Sequence, residues 1–330
     1  MICLGIDTSN YTTSAALYDS ISGEILQEKM LLPVKEGERG LRQSDAVFHH
    51  TKQLPLVMKR LYERAGGAAP QAVGVSVKPA NYEGSYMPCF LCGEGLADCM
   101  GAAFGLPVYK LSHQTGHILA ALFSAGDLEL LSGRFIAFHV SGGTTDCLLC
   151  SPCEDNVIDV VRVGSSLDLK AGQLIDRAGV MMGLRFPCGG ELEKLSYGAD
   201  RQFKIKTSLK EGSCCLSGYE NEVQRMLEGG ISRENISRFV LDAVLENIRQ
   251  MTGYALDRYG SLPLLFAGGV MSDRYIAGGL YKSFSGVCPR VLFGEAEFSR
   301  DNAAGAAVFA GISSGAVGAG AKYIDGGTGA

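Results

Sequence analysis

The chain has 330 residues, 46% of them hydrophobic and 20% charged, with a net charge of −5. That composition suits a soluble protein with a large core, built as two ordinary domains or one duplicated unit. The charge balance does not advertise nucleic-acid binding, although a basic groove can sit on an acidic protein, and no apolar run approaches the ~20 residues of a membrane-spanning helix. The eleven cysteines, an odd number scattered through apolar segments, are expected to be reduced thiols in a cytoplasmic protein. The N-terminus enters a strand directly, without a leader pattern.

Residues 4–18, LGIDTSNYTTSAALY, read as a strand, a turn rich in Ser, Thr and Asn, and a second strand; a third strand is expected over 23–31. After a loop over 32–40, Ser44 is a candidate N-cap for a helix carrying Leu54, Val57 and Leu61 and ending near Gly66 and Gly67. His49 and His50 are neighbours on that helix, so they face different directions and are expected on a solvated face rather than as a metal pair. Residues 72–77 form a short strand, 78–88 an irregular loop, 90–104 a buried Gly- and Ala-rich helix, and 106–111 another strand. Ser112 caps a helix over 113–124 that opens His113-Gln114-Thr115-Gly116-His117. Histidines at i and i+4 stack on one helix face and can share a metal ion; a surface coincidence or a packed pair is the alternative. A zinc peptidase would carry Glu after the first His, and that general base is missing.

Residues 135–150, FIAFHVSGGTTDCLLC, repeat the opening pattern of strand, hydroxyl-rich turn and strand. The two glycines of the turn can aim successive N–H groups into one anion-binding nest; an ordinary hairpin turn is the alternative. Two such hairpins, one opening each half, suggest a duplicated α/β domain that could grip a nucleotide phosphate from both sides. The second half then reads as a strand over 159–163, a long helix over 165–182 with Asp168 and Asp176 two turns apart, and a tight loop at 186–190. In that loop Gly189 could let the backbone lie against a nucleobase or ribose. A helix over 191–199 is followed by an extended or looped 203–219 with Cys214-Cys215, and by an amphipathic helix over 235–258. The strand at 263–267 runs into Gly268-Gly269-Val270, a second nucleotide-type turn. After a strand at 291–294, a last helix starts near Phe298 with Asp301 at its N-terminus, as a cap or as a ligand. Cys147, Cys150 and Cys153 have metal-like spacing, but an offset of three on a strand sends the first two to opposite faces. Residues 325–330 are expected to be a frayed tail.

Taken in order, these motifs make a specific set. Nearly the whole chain resembles the TsaD family, the tRNA N6-adenosine threonylcarbamoyltransferases once called O-sialoglycoprotein endopeptidases. The resemblance rests on the first hairpin, on His113-Gln114-Thr115-Gly116-His117-Ile118 and on Val140-Ser141-Gly142-Gly143-Thr144. It rests also on Ser166-Leu167-Asp168 with Ala171-Gly172 and Asp176, on Gly183-Leu184-Arg185-Phe186-Pro187, on Ala267-Gly268-Gly269-Val270, and on residues 298–304. It implies an α/β fold of the actin/sugar-kinase/Hsp70 (ASKHA) type, two duplicated lobes with a central nucleotide cleft. Residues 1–130 with 300–330 would form the N-terminal lobe and 131–299 the C-terminal lobe. It also implies one divalent metal, Fe2+ or Zn2+, held by His113, His117 and Asp301. ATP or an acyl-adenylate would sit against Ser141, Gly142, Gly143, Thr144, Asp176, Gly189, Gly268, Gly269 and Asp273. The implied reaction moves a threonylcarbamoyl group from its adenylate to N6 of adenosine 37 in tRNA, in the cytoplasm and away from membranes. Implied partners are tRNA, a small paralogue and an ATPase.

The departures from the family pattern fall where substrates would be handled. Tyr11 and Thr12 replace an acidic pair, Thr115 a Glu, Thr144 a His, Asp273 an Asn and Glu220 a Lys, and the loop at 78–88 is longer than usual. They point to a divergent paralogue. A carbamoyl- or acyl-transferase acting on another acceptor and a non-catalytic nucleotide-binding partner are the alternative readings.

Overall fold

The structure is a computed structural model that describes residues 1–9, 11–33, 41–154, 156–299 and 301–316. The expected tail at 325–330 and most of the expected loop at 32–40 lie outside the described residues. In chain order the elements are β1 (Ile2–Asp7), β2 (Thr12–Asp19), β3 (Ile25–Leu31), α1 (Gln43–Arg64), β4 (Ala72–Lys78), α2 (Phe90–Phe104), β5 (Val108–Ser112) and α3 (His113–Ser124). There follow β6 (Phe135–Val140), β7 (Thr145–Cys153), β8 (Val157–Ser165), α4 (Ala171–Met181), α5 (Gly189–Ser196), β9 (Leu209–Lys210), β10 (Ser213–Cys214) and α6 (Ser217–Glu228). The chain closes with α7 (Arg233–Tyr259), β11 (Leu264–Ala267), α8 (Arg274–Phe284), β12 (Val291–Phe293) and α9 (Ala304–Ser313).

The duplication expected from the two hairpins is written in the sheets. One has the order β3-β2-β1-β4-β5, the other β8-β7-β6-β11-β12. In the first, β1 pairs antiparallel with β2 and parallel with β4; in the second, β6 pairs antiparallel with β7 and parallel with β11. Each half is thus a hairpin extended by parallel strands. The chain divides into two compact units, Met1–Gly133 with Ser151–Val160 and Glu297–Ala330, and Arg134–Cys150 with Val161–Ala296.

In the first unit Leu4, Ile6, Ala15 and Leu17 pack with Leu54, Val57 and Leu61 of α1. Alternation turns Gly5 to the opposite face, where α9 lies. The approach there is closer than any side chain permits. A methyl group on Gly5 would lie 2.2 Å from the Ala303 carbonyl oxygen, and one on Gly305 only 1.8 Å from that of Gly116 on α3. These glycines let α9 sit backbone to backbone on the sheet and on α3. The second unit has its own core, in which Phe266 stacks between Phe138 and Phe293 at ring separations of 5.3 and 5.1 Å.

Several local expectations need correction. The N-cap of α1 is Arg42, with Ser44 inside the first turn. His50 is fully buried, its Nδ1 2.8 Å from the Thr13 hydroxyl, because the 100° step from His49 turns it onto the sheet. Only one side of α2 is buried: Leu91 and Phe104 are exposed while Phe90, Gly93 and Ala97 are covered. The helix expected over 165–182 begins only at Ala171. The Asp168 carboxylate accepts the N–H groups of Leu169 (2.6 Å) and Leu216 (2.7 Å) and the Ser217 hydroxyl (2.6 Å), which holds its segment out of the helix. Asp168 and Asp176 therefore do not share a helix. Gly189, expected in a loop, is the first residue of α5, and α6 begins at Ser217 inside the stretch expected to be looped.

Substituting Gly305→Ala should lower the unfolding free energy in urea by about 3 kcal/mol or push α9 off α3, since neither backbone can yield cheaply. Gly95→Ala, on the exposed side of α2 with open space at its Cβ, should instead stabilise by about 0.5–1 kcal/mol.

Candidate functional site

Two histidines and an aspartate of the first unit meet at the start of α3. The Ser112 hydroxyl caps that helix by accepting the Thr115 N–H at 3.1 Å, and Thr115 in turn meets the side chains of Ser112 (2.9 Å) and Asn81 (3.1 Å). One turn of helix brings His113 Nε2 within 2.9 Å of His117 Nε2. Asp301, on the segment leading into α9, places Oδ1 3.6 Å from His113 Nε2 and 3.5 Å from His117 Nε2. The helix expected from near Phe298 begins only at Ala304, with Ala303 as its N-cap and no side-chain cap; Asn302 Oδ1 accepts the Ala304 N–H at 3.0 Å. Bonds of about 2.1 Å at tetrahedral angles set donor atoms about 3.4 Å apart; the two Asp301 distances match that spacing, and the 2.9 Å between the imidazole nitrogens is shorter, so the rings would spread slightly around a shared ion. Among the described residues this is the one such group of His, Cys, Asp or Glu ligands; Cys147, Cys150 and Cys153 do not form another, and all eleven cysteines are free thiols.

The sequence reading missed Asp7. It ends β1, is 1% exposed, and its Oδ2 lies 2.8 Å from His113 Nδ1. This contact fixes the ring and leaves Nε2 facing His117 and Asp301. Burial alone would raise the Asp7 carboxyl, but the His113 charge together with hydrogen bonds from His113, Ser76 and Ser9 holds it below the usual carboxylate range. Burial likewise works against a charged His113, yet Asp7 and Asp301 lift its pKa to about 10. Burial and then the His113 charge keep His117 low. Asp301 is driven well below the usual range by its two histidines, against the effect of burial. A lone carboxylate closing an otherwise apolar strand was the available signal for Asp7.

The other predicted residues lie in the second unit. The turn after β6 closes with the Ser141 N–H on the Thr144 carbonyl (2.8 Å), and the Ser141 hydroxyl accepts the N–H groups of Gly143 (3.3 Å) and Thr144 (3.2 Å). The start of α4 abuts this turn: a methyl on Gly172 would lie 2.7 Å from the Gly142 nitrogen. Gly268, at φ 102°, abuts it from the other side, and a methyl there would meet the Val140 carbonyl oxygen at 2.2 Å. Gly269 then opens a short 3-10 turn. Asp176 accepts the Cys188 N–H at 2.8 Å and so ties α4 to the start of α5 at Gly189. Asp273 caps α8 by accepting the Ile276 N–H at 2.9 Å, and Glu193 of α5 accepts the first N–H of that helix, that of Arg274, at 3.1 Å. Glu220 pairs with Arg177 at 3.0 Å.

Comparison with solved structures places this duplicated α/β architecture in the actin/sugar-kinase/Hsp70 class. Component A of the (R)-2-hydroxyglutaryl-CoA dehydratase of Acidaminococcus fermentans superposes with a TM-score of 0.55 at 16% identity, over 94% of this chain and 97% of that one. HypF of T. kodakarensis superposes with a TM-score of 0.63 at 10% identity, over 98% of this chain and 49% of that one. Within that class the chain belongs to the TsaD family of tRNA N6-adenosine threonylcarbamoyltransferases, whose model matches residues 26–308. Relatives of that name include the protein of Thermosipho africanus, 28% identical over 314 residues and 92% of each chain. Another is that of Bacillus subtilis, 27% identical over 298 residues, 86% of this chain and 82% of the relative.

Asp273 supplies a pH test. Burial first, then the Glu193 charge, push its pKa up to about 6 against the pull of the Ile276 N–H. The folded state therefore holds this proton more tightly than the unfolded state, and stability falls as pH rises from about 4 to about 6. Asp273→Asn keeps a good cap. It should be more stable than wild type by about 1–3 kcal/mol at pH 7.5, with the gain vanishing near pH 4, as read by urea unfolding at both values.

Proposed function

We propose that the chain is a metal-dependent transferase that moves a threonylcarbamoyl group from its adenylate to N6 of adenosine 37 in tRNA. The observation that carries this reading is the convergence of His113 Nε2, His117 Nε2 and Asp301 Oδ1 within 3.6 Å of one another in a member of the TsaD family. The donor set of two imidazoles and a carboxylate suits Fe2+ or Zn2+. A divalent ion bound there supplies Lewis acidity toward an acyl or phosphoryl oxygen.

The chain's own residues do the rest. Asp7 orients His113 by its hydrogen bond at Nδ1. The turn at Ser141, Gly142, Gly143 and Thr144 offers backbone N–H groups and hydroxyls to the nucleotide phosphates, where charge grows as the mixed anhydride is cleaved. The Gly268-Gly269 turn and Gly189 give a backbone surface for the adenosine, with Asp176 and Asp273 as the carboxylates beside it. The attacking amine comes from tRNA, and a small paralogue and an ATPase complete the system as cytoplasmic partners. Among the described residues, no helix is long and apolar enough to cross a membrane.

A second reading, transfer of a carbamoyl or acyl group to another acceptor, is favoured by the fate of the substituted positions. Thr115 is absorbed in hydrogen bonds to Ser112 and Asn81, and Glu220 in its pair with Arg177. Neither is left free for a substrate role that the family's residues there would serve. Incubation of the metal-loaded chain with threonylcarbamoyl-adenylate and unmodified tRNA separates the readings. Threonylcarbamoyladenosine in digested tRNA supports the first; consumption of the adenylate with unmodified tRNA supports the second.

The purified protein should contain close to one equivalent of iron or zinc by elemental analysis, lost in His113→Ala/His117→Ala. Asp7→Asn should remain folded yet bind the metal about 10–100-fold more weakly in competition with a chelating dye, because the ring it orients is released.

A further inference from the structure

The chain is acidic overall, with a net charge of −5, yet residues 201–210, RQFKIKTSLK, carry four cations and no acid. This segment lies wholly in the second unit and runs extended over its core, with side chains that alternate. Phe203, Ile205 and Leu209 turn inward and pack on the core, Phe203 edge-on to Phe239 at a ring separation of 5.5 Å. Lys204, Lys206 and Lys210 turn outward and are exposed, as is Arg201 at the start.

The strap is held along its length. Asn235 Oδ1 accepts the Arg201 N–H at 3.1 Å, the Tyr219 hydroxyl donates to the Lys206 carbonyl at 2.9 Å, and Lys210 pairs with Ser213 of β10. Its charges are not spent on neighbours. Among the described residues the lysine ion pairs are those of Lys59 and Lys110, so Lys204, Lys206 and Lys210 face solvent unpaired. Asp242 and Glu246 line a cavity with Lys204 but are engaged elsewhere: Asp242 accepts the Tyr275 hydroxyl, and Glu246 accepts Arg249 at 2.6 Å and Gln250 at 2.8 Å. Lys204 and Lys206 stand about 6.6 Å apart along extended backbone, a step close to that between the phosphates of successive nucleotides.

We propose that this strap is a track for the phosphate backbone of the tRNA acceptor, with Lys204, Lys206 and Lys210 as its contacts. Lysine meets phosphate as a point charge, and each such contact releases condensed counterions from the nucleic acid. An anionic membrane fits less well, because the apolar side chains of the strap are turned into the core and nothing beside the lysines can enter a lipid surface. The inference rests on the tRNA reading given above.

The test follows binding of labelled tRNA to the full chain by fluorescence anisotropy as KCl is raised. It compares wild type with Lys204→Gln/Lys206→Gln/Lys210→Gln and with a control of equal charge change at exposed cations elsewhere, Arg60→Gln/Arg233→Gln/Lys282→Gln. The strap variant should bind roughly 100-fold more weakly at about 0.1 M salt, and its plot of log affinity against log salt should be shallower by about 2. The control should lose less than about tenfold, and Lys204→Arg/Lys206→Arg/Lys210→Arg should keep wild-type affinity and slope. ATP affinity and the thermal midpoint of the strap variant should be unchanged, since the lysines are exposed and unpaired. Wild-type affinity or an unaltered salt slope in the strap variant overturns the assignment and leaves the tRNA reading standing. An equal loss in the control marks a general effect of net charge and also overturns it. A fall in the thermal midpoint marks a structural role and likewise contradicts it. No tRNA binding by wild type, whether or not anionic vesicles bind instead, overturns both.

Discussion

The candidate metal centre depends on one contact, the backbone approach of α9 to α3 at Gly305 and Gly116. Gly116 lies between the two histidines, and a single added methyl group on Gly305 would stand 1.8 Å from its carbonyl oxygen. Because neither residue has a side chain, the segment before α9 can deliver Asp301 to within 3.6 Å of both imidazoles. The same helix is seated on β1 through Gly5, and β1 ends at Asp7, the residue that holds His113. Sheet and α3 thus fix Asp7 and the two histidines through rigid elements, the arrangement that keeps a ligand set in place, and Asp301 stands three residues before the start of α9.

Electrostatics then makes the cluster self-consistent. Two buried carboxylates without partners would be destabilising, and so would two buried imidazoles carrying charge. Here Asp7 and Asp301 flank His113, which they keep charged, and His117 stays low because its neighbour is already positive. A divalent ion would take over the place of the His113 proton, and metal uptake at neutral pH therefore has to displace it. Asp7 is what makes this exchange orderly, since its hydrogen bond at Nδ1 survives when Nε2 changes partner.

Much of the fold was legible because its signals are local and repeated. The two hairpins, with their hydroxyl-rich turns, announced the duplication that the matched sheet orders display. Ser112 as a cap, and the i, i+4 spacing of His113 and His117, were readable for the same reason. What escaped is what tertiary contacts decide. Residues 165–170 have helical composition, but the hydrogen bonds that Asp168 makes to residues 216 and 217 hold them out of a helix. His50 has an exposed-looking helical context, and only the packing of α1 on β2 buries it against Thr13. Asp7 closes a strand like many others, and nothing nearby in sequence says that a histidine 106 residues away will meet it.

Thr115 bonds Asn81, Glu220 pairs with Arg177, and Asp273 caps α8 with a buried carboxyl group. The central claim is that α3 and α9 together build a single metal centre. Anomalous diffraction from crystals of the purified protein, recorded on either side of the iron and zinc absorption edges, tests it most directly. The account predicts one strong peak within bonding distance of His113 Nε2, His117 Nε2 and Asp301 Oδ1, with Asp7 still on His113 Nδ1. No peak there in crystals grown with either metal, or a peak held by other side chains, would contradict it.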